Sequence, residues 1–392
     1  MNKLTASEIK PIITHVITNN LRLAEKNVTP KAICIEGSNG IGKTQLVKQI
    51  CEELGTHCFI RLNPSNLTVD DLIGYPCIQF ELLNPETNKI VWATKEILES
   101  YINLGLQPTS KTRMSYSTPQ WLANKENKPV LMFLDDHSRS SPLVQQALMT
   151  IVDEQSFMTW NLPKGSTIIL SSNPDNGSFM VTSEDEAQKD RKITLQMKAS
   201  VEDWAAWATG IIPDKFIDFL QKHKEVIEKV DEDSDTPIGS LRGWTRYFQT
   251  IETINDLDSD WYKLALPLSG GLPQEHIMLF HSFIKEKLDK LPTTFEILNS
   301  LNIKSTIETL KVLTKDRKDI ASLITKRSYN HVIKFTSTLK KVEIENYIKL
   351  LEDDSLLSKD LVFIYLRNLA QPAFENIFNV TKNPVLINKI IN

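Results

Sequence analysis

Gly37-Ser-Asn-Gly-Ile-Gly-Lys-Thr44 is the stretch that decides the fold. It satisfies G-x-x-x-x-G-K-[ST] throughout, and each fixed residue answers a physical need. A phosphate chain requires inward-turned backbone N–H groups, here from Gly37, Ser38, Asn39, Gly40, Ile41 and Gly42. Glycines permit the necessary φ/ψ and the close approach. Lys43 supplies an ammonium for the β- and γ-phosphates, and Thr44 a hydroxyl for Mg²⁺. The flanks agree with this reading. AICIE before the loop is a buried strand, and Thr44 to Leu54 after it reads as a helix aiming its positive end at the same phosphates. The implied cofactors are ATP and Mg²⁺.

Further along, the chain offers what such a loop needs opposite it. His57 to Leu62 (HCFIRL) is a second strand. Val130-Leu-Met-Phe-Leu-Asp-Asp136 is an apolar run that ends in two carboxylates, at the strand end where ligands sit in open α/β sheets. Asp135 is placed to hold the metal through its water shell, and Asp136 to act as base or positioner for the attacking water. Thr167 to Leu170 (TIIL) is the next strand, and it runs into Ser171-Ser-Asn-Pro174. Asn173 is there to hydrogen-bond the γ-phosphate or the water. Ser7 to Lys26 reads as an amphipathic helix, and Leu143 to Asp153 as another. Strands alternating with helices predict a three-layer α/β/α domain with a mostly parallel sheet.

The expected division is an α/β nucleotide-binding domain over 1–199, a helical lid over 200–300 and a helical C-terminal extension over 301–392. Within the first, an insertion is expected at about 67–95. It reads as a short helix from Leu67 and two β-rich runs, Ile78 to Leu83 and Lys89 to Ala93, joined by the turn-like Asn84-Pro-Glu-Thr-Asn88. The aromatic groups Trp204/Trp207 and Trp244/Tyr247 read as lid core.

Composition narrows the class. The chain has 392 residues and a formal net charge of -4, so no global field draws it to nucleic acid or to an anionic membrane. The four cysteines, Cys34, Cys51, Cys58 and Cys77, form no Cys-x-x-Cys pair and read as buried reduced thiols. No apolar run approaches the ~18 residues a membrane span needs, and the polar start shows no signal core. A cytoplasmic protein is expected.

Together these residues resemble the MoxR-like branch of AAA+ ATPases. Phe133-Leu-Asp-Asp-His-Ser-Arg-Ser-Ser-Pro-Leu-Val-Gln-Gln-Ala-Leu148 is similar to that group's metal-strand signature, and Asp71-Leu-Ile-Gly-Tyr-Pro76 to its segment after the second strand. The hairpin expected from Ile78 to Ala93 resembles the insertion that marks the helix-2-insert clade. Ser172-Asn-Pro-Asp-Asn-Gly177 followed by Asp190-Arg191 resembles the sensor-1 segment and the trans-acting arginine, and Ser240-Leu-Arg-Gly-Trp244 the sensor-2 segment, with Arg242 as its arginine. The resemblance spans roughly Ala32 to Leu298. It departs at Asp136, where the family has glutamate, at Lys192, where an aromatic follows the arginine, and at Leu241, where a proline precedes sensor 2. It implies a hexameric homo-oligomeric ring that remodels a protein client, often with a partner carrying a von Willebrand factor A domain. A nucleic-acid-acting motor and a slowly hydrolysing ATP-dependent scaffold are the alternative readings.

Overall fold

The computed structural model describes residues 3–123, 125, 128–174, 190–228, 239–285, 291–314, 318–353, 356, 359–370, 380 and 383–391. Two compact units account for them, Met1–Lys198 and Ala199–Asn392.

The first unit is built on five parallel strands: β1 (Ala32–Glu36), β2 (Cys58–Leu62), β6 (Val130–Leu134), β9 (Thr167–Ser172) and β10 (Lys192–Gln196). Their order across the sheet is β10-β1-β9-β6-β2. β1 and β6 are buried along almost their whole length, which is why they read as unbroken apolar runs and not as alternating ones. Alternate residues serve opposite faces. Cys34, Met132, Leu134, Ile168 and Leu170 share a core with Val144, Leu148 and Ile151 of helix α5 (Pro142–Glu154). Ile33, Ile35, Leu131, Phe133 and Ile169 are equally buried from the other face. Helix α1 (Ala6–Glu25) buries Ile9, Ile13 and Ile17 at helical spacing, and its Asn20 ties it to the sheet through the Lys31 backbone and the Thr167 hydroxyl. Helix α2 (Lys43–Leu54) follows the glycine loop and buries Leu46, Val47 and Ile50.

The expected hairpin is present and belongs to a larger element. β3 (Pro76–Leu83) and β4 (Ile90–Thr94) pair antiparallel with Leu83 opposite Ile90. Asn84 builds the turn: its side-chain oxygen accepts from the backbone of Glu86 at 2.9 Å and of Thr87 at 3.1 Å. Helix α3 (Val69–Ile73) precedes the hairpin and helix α4 (Lys95–Asn103) follows it. A third strand, β5 (Gln107–Tyr116), pairs with the free side of β3 and completes a sheet of order β4-β3-β5. β5 lies beyond residue 95, and two short strands, β7 (Ser156–Phe157) and β8 (Trp160–Asn161), pair only with each other among the described residues. β5 escaped the sequence reading because QPTSKTRMSY is polar, nearly all exposed and lacks alternation, as suits an edge strand.

The second unit is helical among its described residues. A first core gathers Phe216, Phe219, Trp244, Phe248, Trp261 and Phe280. Phe216 and Phe248 stack at 4.7 Å, and Phe219 meets Phe280 edge-on at 4.9 Å. Trp204 and Tyr247 are buried in this core, and Trp207 packs against it partly exposed. A second core joins Leu298, Val332, Tyr347, Leu351, Val362 and Leu366. The helix Lys318–Lys334 supplies Ile320 and Ile324 to the first and Val332 to the second. Cys34 and Cys51 are buried as expected, whereas Cys58 and Cys77 are only half-buried.

Candidate nucleotide and metal site

The glycine loop lies between β1 and α2, and its geometry depends on glycine at Gly37, at Gly40 (φ 76°) and at Gly42. A side chain at Gly37 would meet the Met197 carbonyl oxygen at 2.6 Å and Ile41 Cδ1 at 2.7 Å. Gly42, the N-cap of α2, has φ +99°, a left-handed conformation that strains any other residue. Gly42 offers the helix no side-chain cap, so the first-turn N–H groups are not satisfied in that way. Lys43 is buried and lies back along the loop. Its ammonium donates to the carbonyls of Gly37 and Ser38, the latter at 3.1 Å, and stands 3.5 Å from Asn173 Oδ1.

Strand order brings the other groups to the loop. β9 sits between β1 and β6, so the residues after it fall between the glycine loop and the two carboxylates. Asn173 is buried there and donates from Nδ2 to Asp136 Oδ1 at 2.8 Å. The Thr44 hydroxyl donates to Asp135 Oδ2 at 3.1 Å. Lys43, Thr44, Asp135, Asp136 and Asn173 are thus linked by hydrogen bonds, although they come from three separate parts of the chain. Asp175, Asn176 and Gly177 of the same sequence segment lie outside the described residues.

Three further side chains shape the site, and the sequence reading assigned none of them. Ser171 joins the Asp135 carboxylate to the Asp136 backbone: its hydroxyl accepts from the Asp136 backbone N–H at 2.9 Å and donates to Asp135 Oδ1 at 2.8 Å. Arg61 reaches from β2 to Asp135 Oδ2, with Nε at 3.1 Å and Nη2 at 2.7 Å. Arg139 Nε stands 3.4 Å from Asp136 Oδ2. Arg61 had a signal, a lone charge inside the apolar run HCFIRL. Ser171 and Arg139 had only their place beside named residues. Asp136 itself adopts φ 58°, ψ 41°, a left-handed conformation that aspartate tolerates at a cost of roughly 1 kcal/mol or more.

The donor set at the metal end is a hydroxyl and a carboxylate on adjoining elements. Oxygen ligands of this kind suit a hard dication that keeps most of its water, as Mg²⁺ does. The residues present therefore fit Mg²⁺.

Of the two remaining arginines, Arg191 belongs to the first unit and Arg242 to the second. Arg191 pairs with Asp153 of α5, and both are partly exposed. Arg242 is exposed near the start of the helix Leu241–Ile251 in the second unit. That helix is opened by Ser240, whose hydroxyl accepts from the Gly243 N–H at 3.0 Å. Lys192, following Arg191, is buried with Nζ 3.4 Å from His137 Nε2, and His137 Nδ1 lies 2.8 Å from the Ser171 carbonyl oxygen. A polar contact occupies the place where the resemblance implies an aromatic.

A parallel sheet with a glycine loop after its first strand, and carboxylates and an asparagine gathered at that loop, defines a P-loop ATPase. Residues 32–191 match the family model described as "AAA domain (dynein-related subfamily)". No curated protein matches. Among solved structures, a point mutant of RuvB from Thermotoga maritima is 11% identical, with 79% of this chain and 86% of that chain covered and a TM-score of 0.35. NtrX from Brucella abortus in complex with ADP is 13% identical, with 89% and 70% covered and a TM-score of 0.33. No helix among the described residues is long and apolar enough to cross a membrane.

Proposed function

We propose that this chain is an AAA+ ATPase that binds Mg-ATP in the Gly37–Thr44 loop and couples its hydrolysis to remodelling of a protein partner, working as a MoxR-like ring in the cytoplasm. The observation that carries the chemistry is the hydrogen-bonded set Lys43–Asn173–Asp136 beside Thr44–Asp135. Lys43 exchanges its loop carbonyls for phosphate oxygens when nucleotide enters. Thr44 and Asp135 hold Mg²⁺, which supplies neutralisation of phosphate charge. Asp136 takes the proton of the attacking water, and Asn173 fixes the carboxylate through Oδ1. Ser171 keeps the two acids in register.

The resemblance supplies the rest. Arg191 acts on a neighbouring subunit's γ-phosphate, and its pair with Asp153 is no obstacle, because partly exposed ion pairs are worth only ~0–1 kcal/mol. Arg242 takes the sensor-2 role, so Arg242→Ala is expected to weaken ATP more than ADP in equilibrium titrations, and equal losses would remove it from the site. The expected hexamer, a protein client and a von Willebrand factor A partner rest on the same likeness. The three-stranded insertion sheet supports the helix-2-insert assignment.

Steady-state ATP hydrolysis, with and without single-stranded DNA, tests the function. Turnover indifferent to DNA is the expected result. Stimulation by DNA favours the nucleic-acid motor, and binding without turnover favours the scaffold.

A further inference from the structure

Asp135 accepts from four donor atoms of three side chains. Its Oδ2 accepts from Thr44 Oγ1 at 3.1 Å and from Arg61 Nε and Nη2 at 3.1 and 2.7 Å, while Oδ1 accepts from Ser171 Oγ at 2.8 Å. A carboxylate offers about two lone-pair sites per oxygen, so three N–H and O–H groups saturate Oδ2. Both Arg61 bonds converge on that one oxygen and leave Oδ1 to Ser171. Oδ2 is also the oxygen nearest Thr44, and hence the one through which the Thr44–Asp135 pair would serve a metal.

The two side chains differ in their freedom. The Asp135 side chain is 16% exposed and held from two sides, whereas that of Arg61 is 54% exposed. Its backbone is fixed in the sheet, with Arg61 opposite Phe133 and the Asp135 N–H donating to the Leu62 carbonyl at 2.8 Å. Only the guanidinium can leave, and open solvent lies beside it.

We propose that Arg61 is a positioning residue of the metal end of the site: it is the resident counter-charge of Asp135, and it must give up Oδ2 when Mg²⁺ enters with nucleotide. The inference rests on the Mg-ATP reading above. A guanidinium and a dication with its water cannot share one oxygen that is already bonded to Thr44. Metal entry thus replaces a charge-assisted ion pair, and that replacement sets how much Mg²⁺ the site requires. In the metal-free chain Arg61 keeps Asp135 oriented toward Thr44 and spares the carboxylate an unneutralised, largely buried charge. Lysine carries the same charge as a point and lacks the two converging N–H groups, so it holds Oδ2 less firmly.

The test is calorimetric titration of ADP at a series of free Mg²⁺ concentrations, with no turnover to be read. Wild type, Arg61→Gln, Arg61→Lys and Lys43→Ala are compared. Arg61→Gln is expected to reach half of its Mg²⁺-dependent gain in ADP affinity at about three- to tenfold lower free Mg²⁺ than wild type, the range that losing a half-exposed, charge-assisted pair implies. Arg61→Lys is expected between the two. An unchanged or raised Mg²⁺ midpoint in Arg61→Gln overturns the inference, a raised one meaning that Arg61 helps Asp135 to hold the ion. If wild type binds ADP, Lys43→Ala does not, and the midpoint stays put, the inference falls alone. If Lys43→Ala binds ADP as wild type does, the site reading falls and takes the inference with it.

Discussion

Asp136 is the proposed base, and its surroundings bear on what it can do. Its backbone is left-handed, its Oδ1 is held by Asn173 and its Oδ2 faces Arg139, so the carboxylate is fixed on both oxygens. It is also one methylene shorter than the glutamate that the resemblance implies, and misplacement near 1 Å can cost ~10²-fold in rate. Asp136→Asn is expected to keep ATP affinity and lose turnover, because an amide takes no proton from water. Equal turnover would show that another group is the base. Asp136→Glu is expected to raise the rate if reach is limiting, and steady-state assays decide it. The residues that assigned themselves from sequence were those whose chemistry is local: the loop glycines, Lys43, Thr44 and the acids closing an apolar strand. Arg61 and Ser171 did not, because each acts through a partner 74 or 36 residues away. Strand order alone brings such pairs together, and no spacing along the chain encodes it.

Elements were legible to the extent that burial dictated their composition. β1, β6 and β9 are enclosed and read as apolar runs, and the Asn84 turn named its hairpin. β5 is exposed, carries Pro108 and gains its partner only through β3, so nothing in its composition marked it. The second unit holds a comparable surprise. Arg327 is 2% exposed, and its Nη1 donates to Asp218 Oδ2 at 2.6 Å, with a further hydrogen bond to the Pro292 carbonyl. Burial pushes the Asp218 carboxyl up to about 6, against the pull of the Arg327 charge, and Asp214 adds to the rise. The pair therefore joins the helix Asp214–Lys222 to the helix Lys318–Lys334 inside the core. Removing one partner strands the other charge, so Arg327→Met is expected to cost about 3–5 kcal/mol in urea denaturation. A change below about 1 kcal/mol would mean that the apolar contacts alone hold these helices.

At the scale of the whole molecule, a ring leaves its mark in how subunits complement one another. If Arg191 serves the neighbour's nucleotide, Arg191→Ala binds ATP normally and hydrolyses it poorly, since such an arginine can be worth roughly 10³–10⁵ in rate. Mixing Arg191→Ala with Lys43→Ala is then expected to restore part of the activity, because some interfaces pair an intact loop with an intact arginine. Mixed assemblies that form yet stay as inactive as their parents would place Arg191 in a purely structural pair with Asp153. The net charge of -4 gives no long-range pull toward nucleic acid.

The expectations about nucleotide depend on the glycine loop holding it by Lys43. Equilibrium titration of ATP with Mg²⁺ into wild type and Lys43→Ala is the direct measurement. Lys43 is the loop's side-chain cation and is buried where phosphate would lie, with its ammonium already on the Gly37 and Ser38 carbonyls. The predicted result is saturable binding by wild type and none measurable in Lys43→Ala. Equal affinity in a Lys43→Ala chain that remains folded would contradict the account at its base.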